Sequence, residues 1–347
     1  MVSEKKDIRS LTKEELRNFF ESIGDKAFRG NQVYEWLWSK GIHSFEDMTN
    51  ISKETRAHLE AHYVINHIEV DSIQRSNDGT IKNAVKLHDG LIVESVLIPT
   101  KKRTTACVSS QVGCSLDCKF CATSRLKRMR NLNPDEIYDQ VVAIDKESRL
   151  YHNMPLSNIV FMGMGEPLMN YKNVLESIDK ITSEEGLGMS SKRITVSTSG
   201  VPKMIKKLAD DEVKFHLAVS LHSAVQETRE QIMPFAKNFT LEDLGESLEY
   251  WYEKTNRKIT YEYIVWDGIN DNYEAIDALV QFCKRVPCKV NIIEYNPIDD
   301  GEFQQAPNKA IDNYINALER NRIPVTVRRS RGKDIDAACG QLANKSS

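Results

Sequence analysis

Apolar residues recur along this chain first at helical spacing, then in alternation, then in short β-branched blocks separated by amphipathic stretches. Leu16, Phe19, Phe20 and Ile23 line one face of a helix; Thr12 with Glu15 three residues on forms a capping box at its start, and Gly24 stops it. Val33, Trp36 and Leu37 make the inner stripe of a second helix ended by Gly41, and a third covers roughly Lys53 to His62. From Val64 to Pro99 the pattern turns to alternating or β-rich runs, with strands at Val64 to Val70, Ala84 to Leu87 and Leu91 to Ile98. Asn77-Asp78-Gly79 and His88-Asp89-Gly90 break these runs as hairpin turns. Beyond about residue 100, strands at Thr104 to Val108, Asn158 to Met162, Arg193 to Ser197, Lys214 to Leu221, Lys258 to Val265, Lys289 to Tyr295 and Pro324 to Val327 alternate with amphipathic helices. Such alternation implies a parallel sheet with right-handed crossovers, and about six repeats favour a complete or partial (β/α) barrel over a doubly wound open sheet. The expected architecture is α/β: a helical module over 1–63, an antiparallel β extension over 64–99, and a partial (β/α)6 barrel with a C-terminal tail over 100–347.

A composition of 40 % hydrophobic and 28 % charged residues excludes disorder, collagen and coiled coil. No window approaches the ~18 apolar residues of a membrane span, and the opening MVSEKKDIRS is charged where a leader needs an apolar run. The expectation is a cytoplasmic protein with no membrane partner. The net charge of -3 conceals a local excess of bases. Lys101, Lys102, Arg103, Lys119, Arg125, Lys127, Arg128 and Arg130 face only Asp117 between Ser95 and Pro134, and a second basic cluster runs from Arg328 to Lys333. Brought together, these segments would make one basic face suited to nucleic acid; kept apart, they are solvated surface. The seven cysteines, an odd count, point to metal binding or catalysis ahead of structural disulfides.

Cys114, Cys118 and Cys121 form a C-x3-C-x2-C triplet just after the first barrel strand. A closed zinc site needs a fourth ligand, which here would have to be distant, whereas a [4Fe-4S] cluster on three thiolates leaves one iron open to chelate a substrate. Gly163-Met164-Gly165-Glu166-Pro167 follows the second strand; its glycines admit close approach to a ligand, and the carboxylate suits an ammonium group, although such turns also simply end strands. Ser197, Ser220, His222 and Asn296 lie at later strand ends, where barrels present their sites; Ser197 also reads as a turn cap and His222 as a satisfied structural histidine. Cys339 sits on a small-residue loop near Arg328, Arg329, Arg331 and Lys333, a setting that favours thiolate. Cys107, within the first barrel strand, reads by itself as a packed residue, as do Cys283 and Cys288.

The triplet with its Phe120-Cys121 pair resembles the signature of the radical S-adenosylmethionine superfamily. Phe28-Arg29-Gly30-Asn31-Gln32, Trp36-Leu37-Trp38, Val93-Glu94-Ser95-Val96, Gly-Met-Gly-Glu-Pro, Ser-Thr-Ser-Gly, Ser-Leu-His-Ser, Tyr-Asn-Pro and Ala-Cys-Gly-Gln-Leu extend the likeness over essentially the whole chain. In that order they resemble the RlmN/Cfr family of radical S-adenosylmethionine RNA methyltransferases. The resemblance implies a radical S-adenosylmethionine barrel, Cys114, Cys118 and Cys121 as ligands of a [4Fe-4S] cluster, and Gly165, Glu166, Ser197, Ser220, Leu221, His222 and Asn296 as S-adenosylmethionine contacts. It further implies Cys339 as the methylated cysteine, Cys107 as the resolving thiol and Glu94 as proton acceptor.

The implied chemistry uses two S-adenosylmethionine molecules per turnover. One methylates Cys339; the other is cleaved reductively, and its 5'-deoxyadenosyl radical activates that methyl group for addition to an adenine carbon. Cys107 then attacks the Cys339 sulfur, releasing methylated RNA and leaving a disulfide. The implied substrates are carbon 2 of an adenosine of 23S rRNA near the peptidyl transferase centre and of the adenosine 3' of the anticodon in certain tRNAs, with a cytoplasmic, flavodoxin-like electron donor. Carbon-8 methylation is the alternative within the family. Outside it stand an iron-sulfur RNA-binding or redox-sensing protein and a radical enzyme acting on a small molecule. One stretch departs from the family pattern: residues Ala122 to Leu132 carry four bases and no glycine, which bears on loop conformation and RNA contacts rather than on the cluster.

Overall fold

The hydroxyl of Thr12 accepts from Glu15 N–H at 3.1 Å while the Glu15 carboxylate accepts from Thr12 N–H at 2.7 Å, so the first helix starts where its capping box places it. The computed structural model describes residues 5–298 and 301–344; the opening four residues of the charged N-terminus lie outside the described residues. Helices α1 (Lys13–Ser22), α2 (Phe28–Trp38) and α3 (Lys53–His62) bury Leu16, Phe20, Val33, Leu37 and Leu59. On α2 it is Trp38 that faces inward, whereas Trp36 is half-buried. Trp38 meets the ring of Tyr138 edge-on at 5.2 Å, and buried Arg9 binds Asp139 at 2.8 Å and Asp135 at 3.1 Å, so the helices are tied to the helix that carries those acids.

One ten-stranded sheet runs in chain order: β1 (Glu69–Arg75), β2 (Ile81–Lys86), β3 (Ile92–Pro99), β4 (Thr104–Cys107), β5 (Asn158–Phe161), β6 (Ile194–Thr198), β7 (His216–Ser220), β8 (Ile259–Ile264), β9 (Cys288–Ile293) and β10 (Val325–Arg328). Pairing is antiparallel from β1 to β4 and parallel from β4 to β10, so the β extension continues the barrel sheet. Gly79 (φ +86) and Gly90 (φ +81) close the two hairpins in the left-handed conformation that Asp-Gly announces. The run expected from Val64 to Val70 splits, because the Asn66 carbonyl accepts from the Arg9 guanidinium and leaves no continuous ladder; β1 starts at Glu69.

Six helical crossovers join the seven parallel strands: α4 (Pro134–His152), α5 (Tyr171–Thr182), α6 (Pro202–Asp210), α7 (Gln226–Ile232) with α8 (Leu241–Thr255), α9 (Tyr273–Cys283) and α10 (Asn308–Arg320). That is the partial (β/α)6 arrangement, with the C-terminal strand ends on one rim. Every residue of β8 is buried, as a central parallel strand covered on both faces requires. After β10 the chain crosses back over this rim. Ser76 Oγ donates to Asp334 Oδ1 at 2.5 Å, Gly332 N–H to Asp78 Oδ2 at 3.0 Å and Thr123 Oγ1 to the Leu342 carbonyl at 2.6 Å, strapping the tail to the first hairpin and to the segment after the cysteines. Among the described residues no helix is long and apolar enough to cross a membrane.

Candidate active site

The segment after β4 runs against the turn after β5. Ser110 N–H donates to the Met164 carbonyl at 2.8 Å, Met164 N–H to Ser109 Oγ at 2.8 Å and Glu166 N–H to Gln111 Oε1 at 2.9 Å. A Cβ on Gly163 would lie 2.7 Å from Ser109 Oγ, and one on Gly165 (φ +94) would lie 2.5 Å from Gln111 Cβ. Close approach is thus demanded here by protein packing, where the sequence pattern alone assigns it to a ligand; the same two glycines also line the adjoining cavity.

That cavity is lined by Cys114, Cys118 and Cys121. The cysteine loop is braced by Ser124 Oγ, donating to the Cys118 and Cys121 carbonyls at 2.6 and 2.7 Å, and by Phe235 N–H, donating to Asp117 Oδ1 at 2.9 Å. Burial pushes all three thiols up, Cys114 to about 12. Among the described residues no three His, Cys, Asp or Glu side chains converge as the ligands of a single ion must. The three thiols all line this one space.

On the other wall, Glu166 is buried and makes no ion pair among the described residues. Its carboxylate accepts from Ser199 N–H at 2.7 Å and Leu168 N–H at 3.0 Å, while burial raises its pKa. Ser197, Ser220 and His222 line the same cavity. The His222 backbone is left-handed (φ +57), and Nδ1 accepts from Ile264 N–H at 3.2 Å, so the neutral ring carries its proton on Nε2. Burial, with Arg229 nearby, lowers its pKa to about 3. Leu221 is buried in the hydrophobic core and does not line the cavity; its N–H donates to the Glu262 carbonyl at 3.1 Å and its carbonyl accepts from Arg229. Asn296 lies behind the wall: its Nδ2 donates to the Cys339 carbonyl at 3.2 Å, and its Oδ1 is buried without a partner.

Cys339 lines this cavity and also a second one, lined as well by Cys107, Arg103, Arg328, Arg329 and Arg331. Cys339 is accessible from these cavities but enclosed by their walls, which desolvate its thiol. The basic surroundings expected to favour thiolate prove weaker than burial, which raises the Cys339 thiol against the pull of Arg328. Arg329 and Lys333 are engaged by Glu294 at 2.6 and 2.8 Å, and Arg328 by Glu262 at 3.2 Å, which dilutes the field of the basic cluster. Cys107 is buried beside Cys339 and pushed up to about 12, chiefly by that burial. All seven thiols are free, so the expected disulfide finds no support. Glu94 lines neither cavity: one oxygen is 3.3 Å from Lys82 Nζ, and the other accepts from Ala343 N–H at 2.8 Å and Asn344 N–H at 3.2 Å. Among the buried charges that escape the sequence pattern are two at this site, Glu262, which lines the cavity, and Arg229; an acid inside the apolar run Ile259–Ile264 is the available signal for the first, and no pattern marks the second.

Comparison with known proteins follows the same lines. Residues 6–65 match the ribosomal RNA large subunit methyltransferase N-terminal domain, and residues 108–281 match the radical SAM superfamily. The chain is 76 % identical over 345 residues to a probable dual-specificity RNA methyltransferase RlmN of Flavobacterium johnsoniae, covering 99 % of each. It is 77 % identical over 342 residues to one of Christiangramia forsetii, covering 99 % of this chain and 97 % of the relative. Among solved structures, a radical SAM methyltransferase from Sphaerobacter thermophilus superimposes with a TM-score of 0.90 at 35 % identity, covering 97 % of this chain and 99 % of that one.

Proposed function

The chain belongs to the RlmN family of radical S-adenosylmethionine RNA methyltransferases, and on that premise we propose that it methylates carbon 2 of an adenosine in 23S rRNA and in certain tRNAs through a methylated Cys339. The observation that carries this reading is the place of Cys339 in the wall between two cavities, one ringed by the cysteine triplet and one basic and holding Cys107. A sulfur so placed can receive a group on one side and deliver it on the other.

The residues present fit the implied groups. Glu166, a buried carboxylate held by backbone N–H groups and by the Thr198 and Ser199 side chains but by no cation among the described residues, lacks the charge that an α-ammonium group would provide, and the buried Asn296 Oδ1 lacks a donor. Cys114, Cys118 and Cys121 would hold a [4Fe-4S] cluster, and Gly165, Glu166, Ser197, Ser220 and His222 would hold S-adenosylmethionine, with Asn296 acting from behind through the tail and Leu221 set between Ser220 and His222. When bound, such a cluster supplies the electron that splits the carbon–sulfur bond of S-adenosylmethionine. Carbon 2 of adenine is electrophilic and does not attack a sulfonium methyl, which is why a sulfur carrier is needed. Cys339 takes a methyl group and presents it to the basic cavity. Cys107, in that cavity, attacks the Cys339 sulfur, and RNA carbon leaves with the bonding pair. Glu94 serves as proton acceptor once the tail that occupies its carboxylate shifts. Two S-adenosylmethionine molecules per turnover and a low-potential flavodoxin-like donor in the cytoplasm complete the scheme, with residues 1–63 as an RNA-binding module, 64–99 as an extension and 100–347 as the catalytic barrel.

The test is anaerobic reconstitution with both RNA classes, followed by digestion to nucleosides. We expect 2-methyladenosine; 8-methyladenosine would move the reaction to the other ring carbon, and no methylated adenosine with intact cluster would sink the reading. A Cys339→Ala chain that still methylated RNA would remove the carrier, while Cys107→Ala should accumulate protein crosslinked to RNA.

A further inference from the structure

Three cationic side chains are buried among the described residues, and two of them meet carboxylates: Arg9 pairs with Asp135 and Asp139, and Lys82 with Glu94. The third, Arg229, is 1 % exposed and makes no ion pair among the described residues. Nη1 donates to the Ser220 carbonyl at 3.1 Å and to that of Leu221, Nη2 donates to the Ser199 carbonyl at 2.6 Å, and Nε is buried with no partner. Carbonyl dipoles satisfy N–H groups but do not cancel a net charge, and a buried charge without a counter-charge is costly.

The missing anion has an evident place. Arg229 rides on α7, and the segment it belongs to is bonded to the cysteine loop at two points: Lys119 N–H donates to the Ile232 carbonyl at 3.0 Å, and Phe235 N–H to Asp117 Oδ1 at 2.9 Å. Met233, whose sulfur lies 3.4 Å from Arg229 Nη1, packs with Cys118 and Ile232 in one apolar cluster. Met233 thus touches the guanidinium and belongs to the same apolar cluster as Cys118, a setting in which the field of a charge is poorly screened. Arg229 does not line the cavity, and its fork is used up on carbonyls, so it reaches no bound molecule directly.

We propose that Arg229 is the built-in counter-ion of the iron-sulfur site, acting through Cys118 to favour the reduced state and so raise the reduction potential. This rests on the reading that Cys114, Cys118 and Cys121 hold a [4Fe-4S] cluster. A cube on three thiolates is anionic, and one electron from a low-potential donor makes it more so. No proton need accompany that electron, because a guanidinium already stands beside the new charge. Arg229 is therefore a positioning residue whose removal is felt in a potential; a brace joining the ends of β6 and β7 would be felt in stability alone.

The test is an electron paramagnetic resonance titration of reconstituted holoenzyme with dithionite and mediators, comparing wild type, Arg229→Gln and Arg229→Lys at matched iron content. At the wild-type midpoint the reduced-to-oxidised ratio of the Gln variant should fall about tenfold, which for one electron is about 59 mV, while the Lys variant keeps the wild-type midpoint. If Gln prevents cluster loading, Arg229→Met provides the neutral comparison. A wild-type midpoint in whichever neutral variant loads overturns the proposal. Loading by Lys but by neither neutral variant supports it, and loading by none of the three overturns it, since charge then does not suffice. Wild-type protein that binds no cluster would instead overturn the reading of the triplet.

Discussion

His222 illustrates how one side chain is fixed for a task by its surroundings. Burial holds its ring neutral down to about pH 3, and the bond from Ile264 N–H to Nδ1 leaves Nε2–H as a donor at the cavity wall. Losing one such hydrogen bond costs about 1 kcal/mol. His222→Gln should therefore weaken S-adenosylmethionine binding by roughly fivefold to tenfold in calorimetry, with iron content unchanged. Cys339 shows the opposite influence: its pKa is raised, so its nucleophilic form is scarce at neutral pH. The sign follows directly, because a raised thiol pKa leaves less thiolate at a given pH and more as pH climbs. Single-turnover methylation of Cys339, followed by mass spectrometry of its peptide, should accelerate about tenfold per pH unit through neutrality. A flat profile would mean that thiol ionisation does not limit the step.

At the scale of elements, the turn after β5 and the segment that precedes the cysteines act as one unit, because Gly163 and Gly165 let the two backbones interlock. Gly165→Ala adds a Cβ at φ +94 against Gln111, a strain of order 1–3 kcal/mol that falls on both segments at once. Thermal denaturation should register that strain, and cluster loading should drop with it, since the displaced segment leads into Cys114. The glycines were legible in the sequence but what they pack against was not, because local pattern does not reveal which backbone lies across from a turn. Capping boxes and Asp-Gly turns were legible for the converse reason: Thr12 with Glu15, and Gly79 and Gly90, satisfy bonds within a few residues of themselves. Helix α7 escaped notice because its seven residues, mostly polar, give too little periodicity. Arg229 escaped with it, since the three carbonyls that hold it come from chain segments 8 to 30 residues away. Glu94 stood out through the resemblance, yet its engagement by the last described residues, 343 and 344, spans some 250 positions and is encoded by no spacing.

For the whole molecule the decisive matter is where the bases end up. Arg130 is spent on ion pairs within the chain, with Asp89 at 2.6 Å and Glu136 at 2.7 Å, and Arg329 and Lys333 are held by Glu294. What remains exposed from the first basic stretch includes Lys101, Lys102 and Arg103 in the loop before β4, and Lys127 and Arg128 beyond the cysteines. Arg103 lines the cavity that holds Cys107 and Cys339, so the first group stands at the edge of the chemistry. An acidic chain with such a rim would gain RNA affinity by neutralising phosphates there, and each phosphate so neutralised releases condensed counter-ions. Reversing Lys101, Lys102 and Arg103 to Glu should therefore weaken RNA binding and flatten its dependence on salt, by roughly 0.7 in the log–log slope for each single-strand phosphate that is no longer neutralised. Neither iron content nor the ability to cleave S-adenosylmethionine without RNA should change, because none of the three side chains lines the cofactor cavity. An unchanged salt slope would place the RNA phosphates on another face, and the pair Lys127 and Arg128 is the next to reverse.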